Sequence, residues 1–169
     1  TNLINFSKAN VYSSSLRISE HELNTYMEGI CHAFYSYAEA KQIKLDYKSN
    51  FEYQNVWFDK EKMDSITKNL ISNAIKYTPA HGEVHIIICH DKDNWSLEIT
   101  DTGIGIPAKE QKKLFKLHFR GSNAINAKIT GSGIGLMLVW KLVRIHKGKI
   151  SIESVENKGT RVKVIFPQK

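Results

Sequence analysis

The chain has 169 residues, 41% hydrophobic and 10% aromatic, which suits one compact domain able to bury a sizeable core. Its net charge of +7 admits nucleic acid, acidic lipid or polyphosphate, but lysine and arginine are dispersed and no basic run is studded with base-stacking aromatics, so a nucleic-acid module is disfavoured. No stretch approaches the roughly 20 apolar residues of a membrane span, the start lacks a signal pattern, and Cys31 and Cys89 are too far apart for a metal or redox pair.

Thr1 to Asn10 place Leu3, Ile4 and Phe6 at mixed spacing, as in the tail of a helix whose partner lies elsewhere. With no Met at its start and a beginning in mid-pattern, the chain is expected to be a piece of something longer. Arg17 to Leu23 reads as a strand. Asn24 to Gln42 carries Met27, Ile30, Cys31, Phe34 and Tyr37 at the three-and-four spacing of an amphipathic helix. Ile43 to Tyr53 returns to period two. Asp59 then reads as a helix cap, followed by an apolar stripe of Met63, Ile66, Leu70, Ile71, Ala74 and Ile75 that ends at Thr78 and Pro79.

Val84 to His90 and Trp95 to Thr100 are strands joined by the polar turn Asp91 to Asn94. Pro107 opens a short helix predicted to reach Leu117, and Ser122 to Thr130, polar and without an apolar stripe, reads as a mobile loop. A helix is expected from Gly135 to about His146, with a closing hairpin of Lys149 to Val155 and Gly159 to Phe166. The expected fold is α+β, a two-layer sandwich in which a mixed sheet is covered on one face by helices.

Three segments carry chemistry. Asn69 and Asn73 lie one helical turn apart, so both amides project from one face, with Lys76 near the same line. An amide oxygen ligates a hard cation such as magnesium, and a lysine contacts phosphate; alone, the segment also fits a solvated helix face. Asp101 to Pro107 (Asp-Thr-Gly-Ile-Gly-Ile-Pro) follows a strand, and Gly131 to Leu136 (Gly-Ser-Gly-Ile-Gly-Leu) precedes a helix whose amides and dipole favour anions. Neither is a P-loop or a dinucleotide fingerprint, because no Gly-Lys-Ser/Thr follows and GxGxxG is not placed directly after a strand with the acidic residue beyond it.

The order of Asn69 to Thr78, Asp101 to Pro107, Leu114-Phe115 with Phe119-Arg120, and Gly131 to Leu136 resembles the catalytic ATP-binding domain of sensor histidine kinases over roughly Ile43 to Pro167. That family shares a wider group with gyrase, a large heat-shock chaperone ATPase and mismatch-repair ATPases. The resemblance implies an end of the dimerisation helix or linker over residues 1–14 and a catalytic ATP-binding domain over 15–169. It implies ATP and Mg2+ as bound species, with Asn73 as metal ligand, Asn69 supporting the phosphate and metal region, Lys76 on phosphate and Tyr77 near adenine. Asp101 matches the adenine reader, and Gly103, Gly105 and Ile106 flank base and sugar. Gly131, Gly133, Gly135 and Leu136 surround the phosphates. Arg120 is implied at the lid edge over the γ-phosphate, with a solvated loop arginine as the competing reading; Phe115 and Phe119 anchor the lid or fill core.

In ATPase relatives a glutamate stands at the place of Asn69 and activates water, which an amide cannot do, so transfer to a protein acceptor is favoured over hydrolysis. The catalytic assignment is therefore Asn69, Lys76 and Arg120. Implied partners are the dimerisation and phosphoacceptor domain of the same protein and a response-regulator receiver domain, with the isolated domain a monomer and the parent a membrane-anchored homodimer holding this part in the cytoplasm. His21-Glu22 superficially resembles the phosphoacceptor box, but Tyr26 replaces its proline and too few residues separate it from Asn69, so His21 is expected to be an exposed residue at a strand-to-helix junction. An ATP-hydrolysing domain, a non-catalytic nucleotide sensor and a nucleic-acid module are the alternatives.

Overall fold

Burial alternates residue by residue along two neighbouring strands, β4 (Glu83–His90) and β5 (Asn94–Asp101), and this places the core. Val84, Ile86 and Ile88 of the first and Trp95, Leu97 and Ile99 of the second project to one face, where each is almost wholly buried. Their tight turn is closed by the Asp91 carboxylate, which accepts hydrogen bonds from the amides of Asp93 (2.9 Å) and Asn94 (2.8 Å).

The computed structural model describes residues 15–168; the expected connector over Thr1 to Asn10, and the boundary at residue 14, lie outside them. In chain order the remaining elements are β1 (Ile18–Glu22), α1 (Leu23–Ala40), β2 (Lys44–Ser49), β3 (Asn55–Asp59), α2 (Lys60–Tyr77), α3 (Ser122–Asn126), α4 (Gly135–Ile145), β6 (Lys149–Val155) and β7 (Gly159–Pro167). Five strands form a sheet in the order β2-β4-β5-β7-β6, with β2 parallel to β4 and the other pairings antiparallel. Helix α2 packs between α1 and α4, and the three cover the apolar face with Met27, Ile66, Ile71, Ile75, Val139 and Leu142. This is the expected mixed sheet with helices on one face. Its other face carries ion pairs such as Glu98 with Arg161 (2.8 Å), solvated and individually worth little. No helix among the described residues is long and apolar enough to cross a membrane.

Three local expectations fail, and one strand lies where none was expected. The run Asn55 to Asp59 forms a strand that pairs antiparallel with β1 in a separate two-stranded ribbon. Within it, His21 does stand at the strand-to-helix junction, next to last in β1 before α1, but it is half-buried and stacked on Phe58 at 4.5 Å between ring centres rather than exposed. Pro107 to Leu117 is not a helix: its backbone closes a series of i to i+3 turns with one 3-10 turn at Gln111–Lys113. The Gln111 amide holds this segment by donating to the carbonyls of Ile106 (3.1 Å) and Ser154 (2.8 Å). Ser122 to Asn126, read as loop, is a short helix; the Glu110 carboxylate accepts from the Ser122 amide (2.9 Å), and Ala124 alone is buried. Five residues with one apolar contact leave no periodicity to detect.

Helix α2 starts on a buried ion pair. Asp59 caps it by accepting from the Lys62 amide (3.1 Å), while its other oxygen meets the Lys62 ammonium (3.1 Å) and the Arg17 amide (2.9 Å). Burial pushes the Asp59 carboxyl up, but these donors outweigh it and hold the group below the usual carboxylate range. His146 serves the same junction: one ring nitrogen accepts from the Asp59 amide (3.3 Å) and the other donates to the Leu142 carbonyl (2.8 Å). Only the neutral ring satisfies both, and burial lowers its basicity accordingly.

His146→Ala is expected to lower the unfolding free energy by roughly 2 kcal/mol at pH 7, by taking the ring acceptor from the buried Asp59 amide and the packed ring from the junction, while the Leu142 carbonyl keeps its bond from the backbone amide of residue 146. Because the folded-state pKa of His146 is depressed, its contribution is present above about pH 6.5 and is lost as pH falls through the folded value. Urea melts at pH 7 and pH 5 are expected to show the variant's deficit shrinking at the lower pH.

Candidate functional site

One cavity of about 340 Å³ opens between the C-terminal half of α2, the exit of β5, the segment around α3, and the start of α4. Its apolar floor comes from Ile99, Ile152 and Val162 of the sheet, with Leu70 and Leu136 from the helices. Such a slot suits a flat ring system.

Asp101 ends β5 inside this slot and is only 8% exposed. Its Oδ1 accepts from the amides of Gly103 (2.8 Å) and Thr160 (3.2 Å), while Oδ2 takes no hydrogen bond from the described residues. Burial pushes the carboxyl up to about 6; the two amides pull it down without cancelling the loss of water. The free protein thus carries a costly acceptor that a ligand's N–H group can satisfy.

A second polar cluster gathers around Gly131. A Cβ placed there would lie 3.1 Å from the Lys76 ammonium, 3.7 Å from the Tyr77 hydroxyl and 4.0 Å from Arg120 Nε. Lys76 also sits 4.5 Å above the Tyr77 ring centre. Arg120 donates from Nη2 to the Ile129 carbonyl, but its Nε is buried with no partner. A buried, unsatisfied cationic donor beside a lysine is what an anionic ligand would fill.

Asn69 and Asn73 face the same cavity from α2. The Asn69 amide nitrogen donates to Ser65 O (2.7 Å), which fixes the amide and leaves its oxygen for a ligand. That oxygen would lie 2.6 Å from a Cβ at Gly135, so α4 can start this close only without a side chain there. Gly133, at φ +71, lets the chain turn against the His118 and Phe119 backbone. The Asn73 side chain makes no hydrogen bond among the described residues. Two neutral amide oxygens fit a hard cation whose other ligands are phosphate and water.

Of the residues singled out in the sequence, Asn69, Asn73, Lys76, Tyr77, Asp101, Gly105, Ile106, Phe119, Arg120, Gly131, Gly133, Gly135 and Leu136 share this wall. Gly103 stands behind it, orienting Asp101, and Phe115 packs on Trp140 at 6.4 Å instead. His118 is exposed beside Ser132 O (3.2 Å). Among the wall residues that sequence reading did not single out, two tie the site together. Thr160 reaches Asp101 across 59 positions, and Asn123 ties α3 to the carbonyls of Ile104 (3.3 Å) and Gly105 (2.9 Å). The Gly-Thr pair at Gly159 opening a strand was the available signal for the first.

A model of the family described as "Histidine kinase-, DNA gyrase B-, and HSP90-like ATPase" matches residues 58–169. The chain is 30% identical over 168 residues to the circadian input-output histidine kinase CikA of Synechocystis sp. (strain ATCC 27184 / PCC 6803 / Kazusa), covering 98% of this chain and 22% of that protein. It is 35% identical over 116 residues to the sensor histidine kinase WalK of Bacillus subtilis (strain 168), covering 68% of this chain and 19% of that one. The chain therefore spans about a fifth of the length of these relatives. Among solved structures, the catalytic domain of histidine kinase ThkA superposes with a TM-score of 0.77 at 23% identity, covering 90% of this chain and 96% of that domain. Full-length ShkA in complex with AMPPNP gives 0.79 at 18%, covering 92% and 32%. ThkA in complex with the response regulator TrrA gives 0.73 at 21%, covering 99% and 47%. At these identities the superpositions speak for the fold alone.

Asp101→Asn keeps an oxygen for both amides and removes the buried charge. With a folded-state pKa raised to about 6, the stability linked to Asp101 is fully present below about 3.8 and lost as pH rises through 6. The variant is therefore expected to exceed the unmodified chain by roughly 1–3 kcal/mol at pH 7 and by little at pH 4 in denaturant melts.

Proposed function

Because the chain belongs to the histidine kinase-, DNA gyrase B- and HSP90-like ATPase family, we propose that it binds ATP with Mg2+ in this cavity and transfers the γ-phosphoryl group to a histidine on a separate dimerisation domain of a longer sensor kinase. The observation that carries transfer over hydrolysis is the make-up of the wall: Asp101 is its one carboxylate, and no histidine lines it among the described residues. Asn69, the polar side chain nearest the α4 start, takes no proton from water. A nucleophile must then arrive from outside, carried by another domain.

Oδ2 of Asp101 accepts the exocyclic amino hydrogen of adenine, and the apolar floor takes the ring. Guanine would set a carbonyl against the carboxylate, leaving two acceptors facing. Lys76 and Arg120 hold the phosphates, with backbone amides at the start of α4 behind them. Asn73 would hold Mg2+ with Asn69 in support, and the ion when bound would supply charge neutralisation. In the transfer, the bond from γ-phosphorus to the bridging oxygen breaks and one to the imidazole nitrogen forms, with ADP leaving. The residues of this chain contribute position and charge to that exchange.

We further place the parent as a membrane-anchored homodimer whose cytoplasmic part includes this chain, a monomer in isolation. A response-regulator receiver domain is its downstream partner in a two-component relay, in keeping with the ThkA–TrrA complex of a structural neighbour.

Two measurements test the reading. Calorimetric titration with ATP and magnesium is expected to saturate, with GTP roughly 100-fold weaker and Asp101→Asn losing most ATP affinity. Incubation with magnesium ATP and a parent fragment bearing the acceptor histidine is expected to give acid-labile phosphoryl-histidine, with little phosphate released when the fragment is omitted. Steady acceptor-free phosphate release would instead make this a hydrolase.

A further inference from the structure

An α-helix leaves its last four carbonyls without intrahelical partners, and α2 carries that deficit into the cavity wall, because Lys76 and Tyr77 are its final two residues. Its C-cap, Thr78, is extended and donates no capping amide hydrogen bond, and Pro79 follows, so the usual left-handed closure is missing. Each orphan carbonyl is nevertheless met from elsewhere. Ala74 O accepts from the Thr78 hydroxyl (2.7 Å) and Tyr77 O from the Ile104 amide (3.1 Å). The remaining two are served by one side chain: the Lys41 ammonium donates to Ile75 O (2.7 Å) and Lys76 O (3.1 Å), and also to Thr78 O (3.3 Å).

We propose that Lys41, which does not line the cavity, is a positioning residue for the nucleotide site, clamping the end of α2 and masking its negative pole so that polyphosphate can bind beside it. The inference rests on the proposed nucleotide reading. Two physical effects support it. The C-terminal pole of a helix repels anions, and an ammonium on its carbonyls offsets that field within the turn that bears Lys76. Removing the ammonium also leaves three carbonyls in search of donors, which frees the Lys76 and Tyr77 backbone to move.

Lys41 is itself held in place. It is the C-cap of α1, its amide donates to Ala38 O (3.1 Å), and the next residue, Gln42, at φ 57, accepts from the His81 amide (2.8 Å). The clamp therefore runs from the end of one helix to the end of its neighbour. It bears on both lines of the site, since Tyr77 O also anchors Ile104 in the loop after Asp101.

The test compares the full chain with Lys41→Met, which keeps an apolar stem without charge, and Lys41→Arg, which restores donors. With magnesium ATP the Met variant is expected to bind about tenfold more weakly, adenosine to change by less than about threefold, and the Arg variant to recover most of the loss. In unliganded protein, hydrogen exchange at the Ile104 amide is expected to quicken in Lys41→Met and to return toward normal in Lys41→Arg. Unchanged ATP affinity and exchange in the Met variant would overturn the proposal, as would equal losses for ATP and adenosine matching a general fall in stability. Failure of the unmodified chain to bind ATP would overturn the nucleotide reading, and the positioning role with it, whereas the exchange data report on the clamp independently. If Lys41→Met does not fold, Lys41→Gln with the same two readouts decides, by the same criteria.

Discussion

A carboxylate that must stay ionised at the edge of an apolar core is the constraint on which this molecule turns. Asp101 is the last residue of β5, paired with Val84 on one side and Thr160 on the other, so it cannot swing out to water without undoing the end of the central strand. Two amides serve one oxygen, nothing among the described residues serves the other, and the carboxyl responds by holding its proton up to about pH 6. Stability is given up there, and on the proposed nucleotide reading the free energy would return when a ligand donor reaches Oδ2.

The opposite balance holds at the other end of α2. Asp59 and Lys62 are as deeply buried as Asp101, yet every oxygen of Asp59 has a donor, two of them backbone amides, and His146 completes the junction. A buried pair of this kind adds little net stability over an apolar substitute, but it admits one register between α2, α4 and the β1–β3 ribbon. The two sites also titrate against each other. Falling pH relieves Asp101 while charging His146, so the stability of the unmodified chain between about pH 4 and 6.5 is flatter than either group alone would make it.

How much could be read in advance followed from how local each determinant is. The α2 stripe from Met63 to Ile75 and the period-two runs of β4 and β5 declare themselves within one window, and both stood where expected. The strand at Asn55 to Asp59 did not, because three apolar residues become a strand only through β1 more than thirty positions earlier. The site divides in the same way. Asn69, Asn73, Asp101 and the glycines sit in compact motifs, whereas Thr160, Asn123 and Lys41 gain meaning only from contacts across the fold. A lysine after an amphipathic helix is indistinguishable in sequence from a solvated C-terminal charge.

The same separation between local motif and distant contact bears on the chemistry. A wall with two cations, three side-chain amides and one committed carboxylate is equipped to hold a polyphosphate and poorly equipped to activate water. A base beside the terminal phosphate would discharge it whenever solvent entered, and the phosphoryl group would then report only the presence of ATP. On the proposed transfer reading, a nucleophile left on another domain would make transfer conditional on how two bodies meet, so that the geometry between them, rather than occupancy of this cavity, would set the rate. Under that division of labour the precision required of this chain lies in holding the phosphate end still. On that proposal the clamped terminus of α2, which carries Lys76 into the cavity, would be as much a part of the reaction as the residues that touch the ligand.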